Sequence, residues 1–265
     1  MNEIRYLLSI KELLDESVKR ELTEEACKKL DRERLRKLET IRSERKRAES
    51  IGAGLLLQLG LQEGIAVYTS ASRTSTEKAS KNTAQDASEK ASEKTAENAA
   101  QDAFVQSVTV SQVLARLKAP MEPEYLYSEK GKPYFKEIPL FFSLSHSGEY
   151  VFCAFSRQEL GADIQFQRSG IKLEAEERIV RRFFSESEQK TWQHCVTKKE
   201  QEQLFYKLWT RKEAYGKLNG EGIIAVTAVD VLNVRGIVWE EYERLDGYRI
   251  TVCKRQQEVI KRKKL

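Results

Sequence analysis

The chain has 265 residues with a formal net charge of +5, is 40% hydrophobic and carries four cysteines, enough material for one large domain or two medium ones. No window approaches the roughly 18 apolar residues of a membrane span, and the start, MNEIRYLLSIKELLDES, lacks the basic region and apolar run of a secretory signal, so a cytoplasmic protein without a membrane role is expected. Cys27, Cys153, Cys195 and Cys253 lack metal-site spacing, and the basic excess equals that of the last twelve residues, KRQQEVIKRKKL, a tail more often solvated than binding, so charge alone does not select a partner.

In chain order, residues 22–59 read as helix, with Thr23 as a cap, a charged first half and a second half in which Leu55, Leu56, Leu57 and Leu59 are buried. Gly52 and Gly54 cost helix propensity there, so close packing against another element is the expected reason for them. From about Ser70 to Asp102 the composition changes abruptly: no aromatic, Leu, Ile or Val, with imperfect A-S-E-K repeats. Such a segment buries too little to offset its ordering entropy. It is read as a mobile low-complexity insertion whose removal leaves the fold and the chemistry intact.

Beyond it, VTVSQVLARL reads as a short helix and KAPMEPEYLYSEKGKPYF as a Pro-containing connection. LFFSLSHSGEYVFCAFS forms two strands around the turn Ser147–Gly148–Glu149, and a third strand follows at about Leu160–Gln165. IKLEAEERIVRRFF is helical, with Ile171, Leu173, Ile179 and Phe183 inward, and a long helix from about Lys199 to Leu218 stops at Gly220. The end has the texture of a small antiparallel sheet. The whole reads as α+β, in two lobes.

Asp163 and Gln165 alternate along a strand and so project from one face. Asp163 is an oxygen ligand suited to Mg²⁺, and Gln165 offers a neutral carbonyl or a hydrogen bond to a metal-bound water. An aspartate after a glycine is also an ordinary turn feature. In WTRKEAYGKLNGEG, Trp209, Glu213 and Lys217 are four apart on one helix face, with Lys212 beside them. The plain reading is a surface Glu–Lys pair beside a core Trp. The functional one places a carboxylate near metal or nucleophile and an ammonium near phosphate. His146, flanked by Ser145 and Ser147, is either part of a capped turn or of a phosphate-receiving one. Lys132, held extended by Pro133, reaches a phosphate as a compact cation or simply marks a turn.

Taken in order, GKPYF (131–135), FSLSHSGEYVFCAFS (142–156), GADIQ (161–165) and WTRKEAYGKLNGEG (209–222) closely resemble the Sfp-type 4′-phosphopantetheinyl transferases. RRFFSESE (181–188) and ERKRAESIGAGLLL (44–57) fit the same family pattern, which spans nearly all the chain except the insertion and the basic tail. The resemblance implies a monomer with a pseudo-twofold arrangement of two similar lobes, here 1–158 and 159–265, with coenzyme A between them. By position it makes Asp163 and Glu213 metal-binding acids, with Gln165 a direct or water-mediated third group. Glu213, Lys217 and Asp163 become the catalytic set, and Lys132, Ser145, His146 and Lys217 hold the phosphates of coenzyme A. Lys212 is similar to the family lysine beside the acid, and Arg47 is a further phosphate contact.

The reaction implied is transfer of 4′-phosphopantetheine from coenzyme A to a carrier-protein serine with Mg²⁺ or Mn²⁺, releasing 3′,5′-ADP. The partner implied is an acidic four-helix acyl or peptidyl carrier domain, contacted by the connector from about Phe184 to Lys199, in secondary metabolism or across a broad range. Many members carry a second acid where this chain has Gln165, which lowers the negative charge of the metal site. Two rival readings follow from the residues: a weakened protein that binds coenzyme A or carrier without efficient transfer, and a basic nucleic-acid-binding protein using the tail and residues 28–47.

Overall fold

The computed structural model describes residues 3–79, 105–167, 173–245 and 247–257. They fall into two compact units, Met1–Glu122 and Pro123–Leu265, each combining strands with helices, an α+β architecture.

The first unit runs β1 (Ile4–Ser9), α1 (Lys19–Cys27), α2 (Arg32–Thr40), α3 (Glu44–Ala79), β2 (Val105–Thr109) and α4 (Val110–Arg116). β1 and β2 pair in parallel from Arg5 opposite Val105 to Ser9 opposite Thr109, a geometry that needs a crossover connection. The single helix expected over 22–59 is three. Asp31 interrupts it because its side chain accepts a hydrogen bond from the Arg34 amide at 2.9 Å and starts α2 afresh. Ile41 is extended, and Ser43 takes the Arg47 amide on its carbonyl. Thr23 lies inside α1 rather than at its start.

Leu55, Leu56, Leu57 and Leu59 are buried as expected, together with Tyr6, Leu7 and Leu8 of β1. A Cβ on Gly54 would sit 2.6 Å from Leu30 Cδ2 and 2.9 Å from Arg34 Cγ, so a side chain there would displace both residues. α3 continues into the first ten residues of the low-complexity stretch, to Ala79; the rest of that stretch lies outside the described residues. VTVSQVLARL begins on β2, and helix starts only at Val110, where Thr109 and Gln112 form a capping box.

The second unit contains β3 (Tyr125–Tyr127), β4 (Pro133–Phe135), β5 (Phe141–Ser147), β6 (Tyr150–Ser156), β7 (Leu160–Phe166), α5 (Leu173–Phe183), α6 (Glu186–Gln193), α7 (Lys198–Leu218), β8 (Ile237–Leu245) and β9 (Tyr248–Arg255). The Pro-containing connection thus holds a hairpin, β3–β4. β5 and β6 form the second hairpin, with Ser145, His146 and Ser147 on the strand and the turn confined to Gly148 and Glu149. β7, β9 and β8 make an antiparallel sheet in that order, as the C-terminal texture suggested.

The connector 184–199 is not irregular. It contains α6, started by a capping box between Ser185 and Glu188. Val180 of α5 and Phe184 just beyond its end are buried, while Ile179 and Phe183 are partly buried; Ile171 lies outside the described residues. α7 occupies Lys198–Leu218, within a residue of expectation. Cys153 is buried, as its apolar run suggests. Among the described residues no helix is long and apolar enough to cross a membrane, and the last eight residues of the basic tail lie outside them.

Candidate active site

The site is built where α7 crosses β7. The helix lies on the sheet face that carries Gly161, Asp163, Thr251 and Cys253. Thr210 Oγ1 and Thr251 Oγ1 are 2.8 Å apart, and Ala214, Leu218 and Cys253 pack together. Burial pushes the Cys253 thiol up to about 12, so it serves as a small hydrophobe there. Contact is closest at Gly161, where an added Cβ would stand 1.9 Å from the Ala214 carbonyl oxygen and 2.5 Å from the Leu218 amide nitrogen. Glycine here lets the helix backbone rest on the strand. That approach sets the next residue on the same face, Asp163, under the last turns of α7.

Asp163 is buried at 5% exposure. Its Oδ1 accepts from Ser145 Oγ at 2.7 Å and from Lys217 Nζ at 2.8 Å. Its Oδ2 is buried and has no hydrogen-bond partner. Glu213, one turn before Lys217, has its carboxyl raised above the usual range, first by burial and then by the charge of Asp163, with Lys217 opposing. Two carboxylates thus share one neighbourhood with one ammonium. A carboxylate pair with an orphaned buried oxygen fits a hard divalent cation, which is oxygen-seeking and offsets both the repulsion and the lost hydration. Among the described residues no group of three or more His, Cys, Asp or Glu side chains is arranged to hold a metal ion, and Asp163 and Glu213 are a pair rather than such a group.

Ser145 belongs to a ladder that expectation missed. On one face of β5, Ser143 Oγ accepts from the Ala162 amide at 2.9 Å, Ser145 Oγ donates to Asp163, and Ser147 Oγ accepts from the Phe166 amide at 2.9 Å. The signal was present: S-x-S-x-S puts three hydroxyls at the two-residue period of a strand. Only the partner strand was unknown. His146 alternates to the opposite face of β5 and is exposed. Gln165 follows Asp163 on the same face of β7, partly buried, with Nε2 donating to the Phe166 carbonyl at 3.1 Å.

Lys217, which holds Asp163, also lines a pocket of about 290 Å³ together with Lys130, Lys132, Ser143 and Gly220–Gly222. Lys132 Nζ donates to the Leu218 and Leu160 carbonyls at 3.0 and 3.3 Å, closing the end of α7, and burial lowers its pKa. Lys130 pairs with Glu221 at the rim.

Lys212 is not brought to this group. It is fully buried, 2.8 Å from Glu188 Oε2, and donates to the Thr227 and Val229 carbonyls at 2.7 Å each and to the Val226 carbonyl at 3.2 Å. Adjacent positions on a helix point about 100° apart, so Lys212 faces the interior while Glu213 points toward Asp163 and Lys217. Glu188 also accepts from the Ser185 and Val231 amides at 2.7 Å. It was not foreseen, because no local pattern shows that a capping-box glutamate meets a lysine 24 positions on. Trp209 is partly buried and packs against Phe183 and Phe205. Arg47, in the first unit, donates from Nη1 to the Leu38 carbonyl at 2.9 Å.

The model of the 4′-phosphopantetheinyl transferase superfamily matches residues 159–257. The 4′-phosphopantetheinyl transferase AcpT of Salmonella typhimurium (strain LT2) is 34% identical over 143 residues, which cover 53% of this chain and 71% of that protein. The chain belongs to the 4′-phosphopantetheinyl transferase family. The transferase Sfp of Bacillus subtilis (strain 168) is 36% identical over 142 residues, covering 47% of this chain and 60% of Sfp. The transferase gsp of Aneurinibacillus migulanus is 31% identical over 139 residues, 48% of this chain and 56% of gsp. The chain spans about half the length of such relatives. For this phosphopantetheinyl transferase homologue, Asp163, Gln165, Lys212, Glu213 and Lys217 all fall inside the superfamily match.

Proposed function

We propose that this chain transfers 4′-phosphopantetheine from coenzyme A to a serine hydroxyl of an apo acyl or peptidyl carrier protein, releasing 3′,5′-ADP. The observation that carries the reading is the juxtaposition of buried Asp163, its Oδ2 without a partner, with Glu213 and a lysine-lined pocket. Family membership supplies the reaction class. Its two lobes are taken as 1–158 and 159–265, after the superfamily match that begins at 159, although the compact units of the fold divide earlier, between Glu122 and Pro123.

Asp163 and Glu213 would hold Mg²⁺ or Mn²⁺, with Gln165 as a neutral donor or through water; bound there, the cation would neutralise charge on the pyrophosphate of coenzyme A. Lys217 and Lys132, both lining the pocket, hold phosphate oxygens, and Ser145, His146 and Arg47 are further candidates for that role. Glu213, directly or through a water, accepts the proton from the carrier serine. The serine oxygen bonds to the β-phosphorus as the bond to the 3′,5′-ADP oxygen breaks. Lys217 stabilises charge on the transferring phosphoryl group, and the rigid β7–α7 contact keeps the groups in register. Lys212 acts at a distance by holding α7. A cytoplasmic monomer acting on an acidic carrier domain completes the reading.

The test is intact-mass analysis of an apo carrier protein incubated with this protein, coenzyme A and Mg²⁺, beside Asp163→Ala. A mass gain of one phosphopantetheine arm, absent with the variant, supports reaction and site together. No gain across several carriers, with Mn²⁺ also tried, points to a protein that binds coenzyme A without transfer.

A further inference from the structure

Lys217 has two environments within reach. Its Nζ donates to Asp163 Oδ1 at 2.8 Å and to the Ala162 carbonyl at 3.1 Å, while its side chain, 30% exposed, also lines the lysine-rich pocket. An ammonium has three protons, and those two bonds leave one directed elsewhere. The carboxylate it holds is the one whose other oxygen is orphaned, with Glu213 one helical turn away. A divalent cation at Asp163 and Glu213 would therefore meet a like charge already bound to the same carboxylate. At such separations the two cations repel strongly even at the effective dielectric of a protein surface.

We propose that Lys217 is an exchangeable counter-ion: it neutralises Asp163 while no divalent cation is bound, and cation entry displaces it into the adjacent pocket, where it meets phosphate. The Ala162 carbonyl is a pivot it can keep throughout. Divalent-cation binding and phosphate binding are then coupled through one side chain, and by linkage each strengthens the other. The proposal rests on the metal reading above and adds a role for Lys217 that the reading does not require. A lysine that only contacted phosphate would leave cation affinity untouched.

The experiment is Mn²⁺ binding followed by the electron paramagnetic resonance of free Mn²⁺, without coenzyme A, for the wild type, Lys217→Gln and Lys217→Arg, each first checked for a native circular dichroism spectrum. Lys217→Gln should bind Mn²⁺ about 5-fold or more tightly than the wild type, whereas Lys217→Arg, which keeps the charge, should bind as weakly as the wild type or more so. A second arm measures coenzyme A affinity by calorimetry with and without Mn²⁺; the gain due to Mn²⁺ should be larger in the wild type than in Lys217→Gln. Unchanged or weaker Mn²⁺ binding by Lys217→Gln, tighter binding by Lys217→Arg, or equal gains in the second arm would overturn the proposal while leaving the metal site standing. Absence of Mn²⁺ binding in all three proteins would sink the metal site itself, and the proposal with it.

Discussion

Gly161→Ala isolates the contact on which the site depends. The new Cβ would lie 1.9 Å from the Ala214 carbonyl oxygen and 2.5 Å from the Leu218 amide nitrogen, both backbone atoms of α7 that no rotamer change can move. Restoring ordinary contact at 3.4 Å requires a separation of about 1.5 Å between strand and helix. Inserting a methyl into a packed contact of this kind costs about 1–3 kcal/mol. The same displacement stretches the 2.8 Å Lys217–Asp163 bond beyond hydrogen-bonding range and shifts Glu213 with it. A misplacement of about 1 Å costs on the order of 100-fold in rate. Urea unfolding gives the first quantity and the rate of carrier modification the second. If Gly161→Ala unfolds within about 0.5 kcal/mol of the wild type and transfers at an unchanged rate, the strand–helix contact does not set the site.

Other expectations follow from the same geometry. Lys212→Met leaves Glu188 buried without its cation and should destabilise by about 3–5 kcal/mol in urea unfolding, while the folded fraction keeps its coenzyme A affinity; a weakened affinity would put Lys212 in the pocket. Ser145→Ala removes one of two donors to Asp163 Oδ1 and should cost about 1.5–3 kcal/mol, an estimate that equal urea midpoints would contradict. Glu176, on α5, has its carboxyl raised above 4.5, first by burial and then by Glu202, with Lys198 opposing. The folded state then binds this proton more readily than the unfolded one, so the contribution is favourable below 4.5 and is lost as pH rises through the raised value. Glu176→Gln should accordingly be more stable than the wild type at neutral pH and lose that advantage on acidification, as thermal midpoints across the range would register.

What was legible in the sequence was local or short-range. α7 was placed to within a residue because its apolar period and the Gly220 stop are carried by the segment itself. β5, β6 and β7 were visible as apolar runs bounded by turn residues, and Trp209, Glu213 and Lys217 follow from helical spacing alone. The family motifs marked Asp163 and Lys217 as belonging to one site. Even some misreadings were local: Asp31 breaks the N-terminal helix through a capping bond whose residue types were in plain view.

What the tertiary structure decided is which side chains share space. Lys212 and Glu213 are neighbours in sequence, yet one is sealed against Glu188 and three carbonyls while the other lies within the field of Asp163 and Lys217. Ser145 reads as a phosphate contact from its motif and is found on Asp163, because β5 lies against β7 through alternate serines. The orphaned Asp163 Oδ2 has no signature in the chain at all. Periodicity and capping are set by residues a few positions apart, so the sequence determines them; burial and pairing depend on segments brought together by the whole fold, and only the packed structure assigns them.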